Sequence, residues 1–261
     1  MEIYECLSNL YVNDKVCIKI GDQTTEEFLT NRGVKQGCIL SPLLFNIYLS
    51  DLEAKLDLQE NNPATLSNGT SISCLIWSDD LVMLSKTESG LTKMLKSLDK
   101  YASENGMKIN IKKTKAMIFC KTGRHIRIFF PIGETYIETC REYKYLGFRV
   151  TPYGGISSGL KDLKDRGIKA LYKIKHQLGP LFLQHPKVTI KIFDTLVKPI
   201  LLYASDFWGI LKFPKNNPIE NVHIKFCKEL LRVQKQTTNI GVLLELGQIP
   251  ISITAIKNVF K

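Results

Sequence analysis

Two short apolar runs separated by three polar residues form the most distinctive pattern in the chain, the segment SISCLIWSDDLVMLS at residues 71–85. The apolar runs cover residues 74–77 and 81–84, and the adjacent acids Asp79 and Asp80 lie between them. Such runs on either side of turn-forming residues predict a β-hairpin with buried strands. Neighbouring carboxylates repel each other, and Mg²⁺ prefers oxygen ligands. The hairpin therefore predicts either a magnesium site at these two acids or an ordinary turn, which aspartate also favours.

The remainder of the first 110 residues shows both helical and strand patterns. Residues 41–52 have apolar positions at helical spacing, and Ser41-Pro42 fits the cap and the first position of a core helix. The other predicted elements are a helix at 4–10, a strand at 15–20 that turns at 21–22 and pairs back with 27–30, a surface loop at 59–70, and an amphipathic helix at 89–105 followed by Gly106 as its C-terminal glycine.

The pattern becomes helical after the segment GGISSG at residues 154–159, so we predict a domain boundary near this segment. The predicted helices cover residues 160–178, residues 188–211 with a break at Pro199, and a stretch from Asn217 to about residue 233. On the last helix, four basic residues at spacings of three, four and three share one face, which either lies along nucleic-acid phosphates or is simply solvated: Lys225, Lys228, Arg232 and Lys235.

The charge of the chain is unevenly distributed. The 261 residues include 36 Lys and Arg against 25 Asp and Glu, which gives a net charge of +11. Residues 1–92 contain 6 basic and 13 acidic residues, whereas residues 93–261 contain 30 basic and 12 acidic residues. An acidic segment that holds the two aspartates, followed by a basic region, favours a nucleic acid as the partner over a generally basic surface without one.

The cysteines and the hydropathy indicate the state of the thiols and the expected location of the protein. The seven cysteines are an odd number without a CxxC pair, and most lie in apolar segments, so we expect buried, reduced thiols and no zinc site. No apolar run is long enough to span a bilayer, and residues 1–10 carry two glutamates rather than a basic leader. We therefore expect an intracellular protein of the nucleus or cytoplasm that is neither secreted nor inserted in a membrane.

A second distinctive stretch, RGVKQGCILSPLLFN at residues 32–46, precedes the acidic hairpin. In this order the two stretches resemble the reverse transcriptases of non-LTR retrotransposons (LINE-like elements), in which a GVRQGCxLSPLLFN segment precedes an (F/Y)ADD hairpin of the polymerase palm. Here the hairpin reads WSDD, so Trp77 and Ser78 depart from the family pattern while both acids are intact. The resemblance implies that Asp79 and Asp80 are catalytic residues and metal ligands.

The same resemblance assigns roles to the loop before the helix. It implies that Gln36 and Gly37 line the nascent base pair and the incoming nucleotide. It also implies that Arg32 and Lys35 lie near the template or a phosphate. The glycines of this loop allow a ligand to approach the backbone closely.

Downstream segments continue the resemblance in the same order. Residues 107–119 (MKINIKKTKAMIF) resemble a family segment whose lysine approaches the triphosphate and protonates the pyrophosphate. Lys113 takes this role or lies at a solvated strand end. A YLG motif resembles the family hairpin that grips the primer 3′ end, or is an ordinary palm-edge hairpin: Tyr145, Leu146 and Gly147. LLYASDFWG at 201–209 and LGQIP at 246–250 resemble the helical thumb and the segment that follows it.

One catalytic acid of the family has no counterpart in this sequence. In the family it comes from an upstream strand, in a motif like FxDxxxAFDxV, and the acids before Gly33 lie in no such context. Two-metal catalysis needs a fixed ligand set that holds the ions about 3.5–4 Å apart, and two aspartates do not complete it. We expect a C-terminal portion of a reverse transcriptase that lacks the fingers, holds Mg²⁺ weakly and is inactive on its own.

The expected fold is α+β. It is a partial right-hand polymerase, with a palm of antiparallel sheet and packed helices at residues 1–153 and a helical thumb and C-terminal extension at residues 154–261. The expected partners are an RNA template, a DNA primer and dNTPs, with Mg²⁺ as the cofactor. Two functions remain open, an RNA-directed DNA polymerase and a non-catalytic nucleic-acid-binding remnant of such an element. A group II intron maturase is a third possibility that the helical tail matches less well.

Overall fold

The fold combines helices with short antiparallel strands, in agreement with the predicted α+β class. A computed structural model describes residues 2–30, 33–56, 62–122, 124–211 and 217–260. The chain divides into two compact units, a first unit of Met1–Thr114 with Phe130–Ile137 and a second unit of Lys115–Phe129 with Glu138–Lys261. These two units do not test the predicted boundary between palm and thumb near residue 154, which stays a prediction.

The chain up to residue 138 alternates short helices with hairpins. In order, its elements are α1 (Glu2–Asn9), β1 (Lys15–Val16), β2 (Lys19–Ile20), β3 (Gln23–Thr24), β4 (Phe28–Leu29), α2 (Ser41–Tyr48), α3 (Leu52–Lys55), β5 (Ala64–Thr65), β6 (Ser71–Ile72), β7 (Cys74–Trp77), β8 (Asp80–Met83), α4 (Glu88–Glu104), β9 (Phe129–Ile132) and β10 (Thr135–Glu138). The strands pair as β1–β4, β2–β3, β5–β6, β7–β8 and β9–β10. Within the described residues, these pairs remain separate two-stranded sheets.

The strand predicted at residues 15–20 is interrupted. Its first part, β1, pairs with β4, and its second part, β2, pairs with β3 across the predicted turn. The ladder breaks at Ile18, whose N–H donates to Thr25 Oγ1 at 2.9 Å instead of to a backbone carbonyl. The first three residues of the surface loop predicted at 59–70 lie outside the described residues, and in the rest residues 64–65 form β5 and pair with β6.

The helix α2 begins one residue earlier than predicted and is covered on one side only. Ser41 is its first residue rather than its cap, and the Ser41 Oγ donates to the Lys35 carbonyl at 2.6 Å. Leu43 and Ile47 are exposed, so the prediction of a core helix was wrong for this face. The opposite side packs through Phe45 and Leu49 into a hydrophobic cluster.

That hydrophobic cluster holds the acidic hairpin in the first unit. Leu49, Leu52, Leu56, Cys74 and Tyr101 form its buried part, so α2, α3, β7 and α4 all contribute to it. The helix α4 agrees with its prediction. It starts at a capping Thr87 that accepts from the Gly90 N–H at 3.1 Å, and it ends at Gly106 with φ of 62°. The positive φ allows the Met107 N–H to bond the Ala102 carbonyl at 2.8 Å, which closes the helix end.

The second unit is mainly helical and contains one further hairpin. Its elements are β11 (Tyr143–Tyr145), β12 (Phe148–Val150), α5 (Ser157–Leu178), α6 (Leu181–Gln184), α7 (Pro186–Leu196), α8 (Lys198–Leu201), α9 (Ser205–Trp208), α10 (Pro218–Leu230), α11 (Asn239–Glu245) and α12 (Ile251–Val259). The predicted break at Pro199 is confirmed, because α7 ends before it and α8 contains it in its first turn. The core of the unit is one cluster that includes the fully buried Phe193, Trp208 and Phe226.

The segment GGISSG, near which we predict a domain boundary, ends in a closely packed glycine. Gly159 lies in the first turn of α5, and a Cβ there would lie only 2.2 Å from the Phe148 ring of β12. Gly167, two turns later, is equally close to Leu201 of α8, at 2.3 Å. The missing side chains therefore allow β12 and α8 to pack directly against the backbone of α5.

The helix α10 ends earlier than predicted. Its C-cap is Leu231, and Arg232 adopts φ of 55°, so the Val233 N–H bonds the Lys228 carbonyl at 3.1 Å. This is a helix end normally made with glycine. The prediction that the four basic residues share one helical face was therefore wrong, since Arg232 and Lys235 lie beyond the helix.

The Leu-Gly-x-x-Pro segment joins α11 to α12. Gly247 has φ of 62°, and Pro250 occupies the N-cap of α12 without a side chain able to cap it. The Glu220 carboxylate of α10 supplies the cap and accepts from the N–H groups of Ile251 and Ser252 at 3.2 and 2.9 Å. Burial alone would raise the pKa of Glu220, but the His223 ring, 3.6 Å away, and the bonds from these N–H groups outweigh it and lower the pKa.

The cysteine predictions were partly wrong. All seven cysteines are unpaired, in agreement with the expectation of reduced thiols. Cys74 and Cys227 are buried, and burial raises the pKa of Cys227 to about 12. Cys6 and Cys17 are exposed instead, because α1 and the β1–β4 hairpin have largely solvent-exposed surfaces.

Glu220→Gln tests the cap of α12. The folded pKa of Glu220 lies below its ordinary value of 4.5, so the ionised carboxylate stabilises the fold above that value and loses this effect as the pH falls through the folded pKa. We expect the variant to lose about 1 kcal/mol of unfolding free energy at neutral pH, with the deficit shrinking below about pH 4. Denaturant unfolding at both pH values measures it, with the exposed Glu245→Gln as control. A deficit of the same size at both pH values would contradict the assignment.

Arg232→Gly tests the end of α10. Glycine adopts a positive φ without the steric cost that arginine bears, so we expect the free energy of unfolding to rise by about 0.5–1 kcal/mol. Arg232→Ala removes the same charge without relieving the backbone, and it should not stabilise. Thermal unfolding of the two variants decides, and equal stabilities would show that the helix end carries no strain.

Candidate active site and nucleic-acid interface

The two adjacent acids lie at a tight hairpin turn. Trp77 of β7 pairs with Asp80 of β8, which leaves Ser78 and Asp79 as a two-residue loop. Ser78 has φ of 54°, as two-residue hairpin loops require. The predicted hairpin is confirmed, with the difference that Asp80 is the first residue of a strand. Both carboxylates are exposed, and the turn presents them to solvent.

The hairpin is buried on one face only. Cys74 is buried in the hydrophobic cluster, and Ile76 packs against it. Leu75 and Trp77 point to the other face, where Trp77 is 67% exposed. The prediction of buried strands was therefore wrong for this face. The physical reason is that β7 and β8 form a two-stranded sheet that helices cover from one side.

The acids at this turn fit an incomplete metal site. Carboxylate oxygens suit Mg²⁺, so the donor chemistry of Asp79 and Asp80 is appropriate. Across the part of the chain that the structure describes, however, no group of three or more His, Cys, Asp or Glu side chains lies close enough together to hold an ion. The donor set therefore does not fit a two-metal centre, and we derive no catalytic step through one.

The loop before α2 forms a defined turn around Gln36 and Gly37. The Cys38 N–H donates to the Lys35 carbonyl at 3.2 Å, and Gly37 has φ of 84°, as the third position of a type II turn requires. The bond from Ser41 Oγ to the same carbonyl attaches the turn to the helix start. Gln36 is exposed, and a Cβ on Gly37 would meet open space.

Of the two basic residues predicted to lie near the template or a phosphate, the structure describes Lys35 but not Arg32. The Lys35 ammonium pairs with Asp14 at 2.9 Å and lies 5.9 Å from the centre of the Tyr11 ring. In this structure its charge is thus directed to the N-terminal hairpin, and its contact with a template or phosphate stays a prediction. Arg32 lies outside the described residues.

The loop and the acidic hairpin belong to the same unit and share one core. Phe45 of α2, Ile76 of β7 and Leu81 of β8 all pack against the same hydrophobic cluster. Lys113 also belongs to the first unit, where it is exposed in a turn whose Lys113 N–H donates to the Asn110 carbonyl at 3.1 Å. Its position is a turn rather than a strand end, and its approach to a triphosphate stays a prediction.

The YLG motif forms the tip of the β11–β12 hairpin in the second unit. Tyr145 pairs with Phe148, and Leu146 and Gly147 make a two-residue turn with φ of 43° and 80°. The Tyr203 hydroxyl donates to the Leu146 carbonyl. A Cβ on Gly147 would lie 3.0 Å from that hydroxyl, so the close backbone approach that glycine permits here is made by Tyr203.

Charged residues fix the same hairpin to α5. The Arg166 guanidinium donates to the Gly147 carbonyl at 3.1 Å and pairs with Asp162 at 2.9 Å. Arg149 of β12 lies 3.5 Å from Asp162, and its hydrogen bond to Glu142 raises the pKa of the Arg149 guanidinium. The turn proposed to hold a primer end is thus held in place by side chains of its own unit.

Sequence reasoning missed the residues that hold this turn. Tyr203 lies 57 positions from Leu146, and no periodicity or spacing links them. The LLYASDFWG segment was the available signal, since it includes Tyr203, and the Trp208 indole N–H donates to the Tyr203 carbonyl at 2.8 Å. The segment thus positions Tyr203 beneath the hairpin turn.

The predicted phosphate-binding lysines already have contacts within the chain. Lys225 lies 3.9 Å from Glu229 and 5.6 Å from the centre of the Tyr172 ring. The Lys228 ammonium donates to the Lys235 carbonyl at 2.7 Å, which holds the segment after the helix. The second unit contains 24 basic and 9 acidic residues, so its overall surface favours polyanions. Direct phosphate contacts by these lysines stay predictions.

The helices of the structure give no indication of a membrane span. Across the described part of the chain, no helix combines the length and the apolar character that crossing a bilayer requires.

Comparison with known proteins shows the family of the chain. Residues 2–150, more than half of the chain, match the family described as reverse transcriptase (RNA-dependent DNA polymerase). A retrovirus-related Pol polyprotein from the type-1 retrotransposable element R2 of Popillia japonica is 30% identical over 212 residues, which cover 74% of this chain and 34% of the relative. Its namesake in Nasonia vitripennis is 28% identical over 60% of this chain and 16% of the relative.

A third relative extends the comparison to another mobile element. The RNA-directed DNA polymerase from mobile element jockey of Drosophila melanogaster is 21% identical over 205 residues, which cover 76% of this chain and 22% of the relative. The chain spans about a third or less of the length of these three relatives. On the family match and these relatives, the chain belongs to the reverse transcriptase family, within the LINE-like group of non-LTR retrotransposons.

Proposed function

We propose that this chain supplies part of the palm and the thumb of a LINE-like reverse transcriptase, and that alone it binds nucleic acid without copying it. In this proposal residues 1–153 are the palm portion, and residues 154–261 are the thumb with its C-terminal extension. The family membership and the basic second unit support the nucleic-acid part. RNA template, DNA primer and dNTPs are the corresponding substrates of the complete enzyme.

The observation that carries the proposal is the exposed pair Asp79 and Asp80, which no further metal-binding side chain among the described residues joins. In a complete enzyme of this family, a primer 3′-hydroxyl attacks the α-phosphate of a dNTP, and divalent metal ions supply activation of the nucleophile and stabilisation of the leaving group. Asp79 and Asp80 would provide two of the ligands for those ions. A pair of exposed, mutually repelling carboxylates provides too few ligands to hold them firmly.

The remaining residues take positioning roles in the same proposal. Gln36 and Gly37 would face the nascent base pair, because their turn is exposed and fixed to the start of α2. Lys113 would approach the triphosphate. The hairpin tip at Leu146 and Gly147 would support the primer end, and its fixed attachment to α5 suits a positioning role.

Primer extension tests the proposal. The chain is incubated with an RNA template, an annealed DNA primer, dNTPs and Mg²⁺, and extension is followed on a gel. We expect no incorporation above the level of Asp79→Ala, together with binding of the primed template in a parallel gel shift. Robust incorporation that Asp79→Ala abolishes would refute the inactivity of the chain, and absence of binding at low salt would refute its nucleic-acid role.

A further inference from the structure

A groove lies between α5 and α10 of the second unit. It has a volume of about 270 Å³ and is lined on one side by α5 and on the other by α10. Its apolar lining consists of Ile168, Leu171 and Val222, of which Leu171 and Val222 are buried. A volume at the small end of ligand pockets suits a single planar ring system rather than a large ligand.

The charge of the groove is positive. Lys164 and Lys175 of α5 and Lys225 of α10 line it, against the single carboxylate of Glu229. Glu229 pairs with Lys175 at 2.7 Å and lies 3.9 Å from Lys225. One carboxylate does not neutralise three ammonium groups, so the groove attracts an anionic ligand.

An exposed aromatic ring lies beside these charges. Tyr172 lines the groove, and 56% of its surface is exposed. The ammonium groups of Lys175 and Lys225 lie 5.9 and 5.6 Å from the centre of its ring. An aromatic platform next to a basic groove is the combination by which proteins bind single strands, because every base presents a face that can stack.

We infer that the α5–α10 groove binds single-stranded nucleic acid, with one base stacked on Tyr172 and the adjoining phosphates near Lys164 and Lys225. This inference rests on the proposed nucleic-acid function and adds a specific site and strand type to it. In a duplex the bases are paired inside the helix and only phosphates face the groove. No base of a duplex can therefore stack on the aromatic ring. The site therefore prefers an unpaired segment.

The test measures binding of a fluorescent single-stranded RNA and of a matched duplex to the full chain by anisotropy, across a series of salt concentrations. We compare Tyr172→Ala, Tyr172→Phe, Lys164→Ala and, as a control, Tyr153→Ala, which removes an exposed tyrosine elsewhere in the unit. Thermal unfolding of each variant checks the fold. Tyr172 is exposed, so its replacement should leave the unfolding temperature unchanged.

The expected pattern separates stacking from charge. Tyr172→Ala should weaken single-strand binding about five-fold or more without changing its salt dependence, and Tyr172→Phe and Tyr153→Ala should bind as the wild type does. Lys164→Ala should reduce the slope of log affinity against log salt by about 0.7, the value for one phosphate contact on a single strand. The affinity for the duplex should be the same in Tyr172→Ala as in the wild type.

Two results would overturn the inference in distinguishable ways. Single-strand binding that Tyr172→Ala and Lys164→Ala leave unchanged would reject the groove while the proposed nucleic-acid function stands. No binding of any nucleic acid by the wild-type chain at low salt would reject both. A loss confined to the duplex would also reject the site, since stacking on Tyr172 requires an unpaired base.

Discussion

The close packing of the β11–β12 hairpin on α5 depends on the absence of a side chain at residue 159. The ring of Phe148 occupies the space where a Cβ of Gly159 would lie. Protein interiors are close-packed, so even one added methyl group at this position would displace the ring or the helix. The bonds from Tyr203 and Arg166 attach the turn of the same hairpin to the helices of the unit.

The hairpin turn of the second unit is held by many contacts, whereas the acidic turn of the first unit is exposed. In the second unit, the hairpin turn is held by hydrogen bonds and by ion pairs around Asp162, and the helices share one large core. In the first unit, the acidic hairpin rests on a small cluster, and Asp79 and Asp80 are exposed. A catalytic metal centre requires firmly held ligands. The features that would position nucleic acid are therefore better formed in this chain than those that would perform chemistry.

Patterns with a local physical cause could be predicted from the sequence. The acidic hairpin, α4 with its C-terminal glycine and the break at Pro199 follow from periodicity and backbone preferences within a few residues. The family also followed from motifs in order, because the acid pair and the glycine–glutamine loop are specific together. Each of these features is encoded within a short stretch of chain.

What the sequence did not reveal has tertiary causes. The end of α10 was placed too late, because Arg232 adopts a conformation normally left to glycine and gives no compositional signal. The role of Tyr203 was missed because its partner lies 57 positions away. The burial of β7 and α2 was overestimated, because periodicity shows which face is apolar but not whether another element covers it.

The proposed lack of polymerase activity depends on an incomplete metal site at the turn of Asp79 and Asp80. Titration of the chain with Mn²⁺, a spectroscopically visible substitute for Mg²⁺, tests it most directly by electron paramagnetic resonance. We expect Mn²⁺ to bind with a dissociation constant above about 10⁻⁴ M, with little difference between the wild type and Asp80→Asn. Two ions bound at micromolar concentration, and lost in Asp80→Asn, would contradict it and indicate a complete catalytic centre.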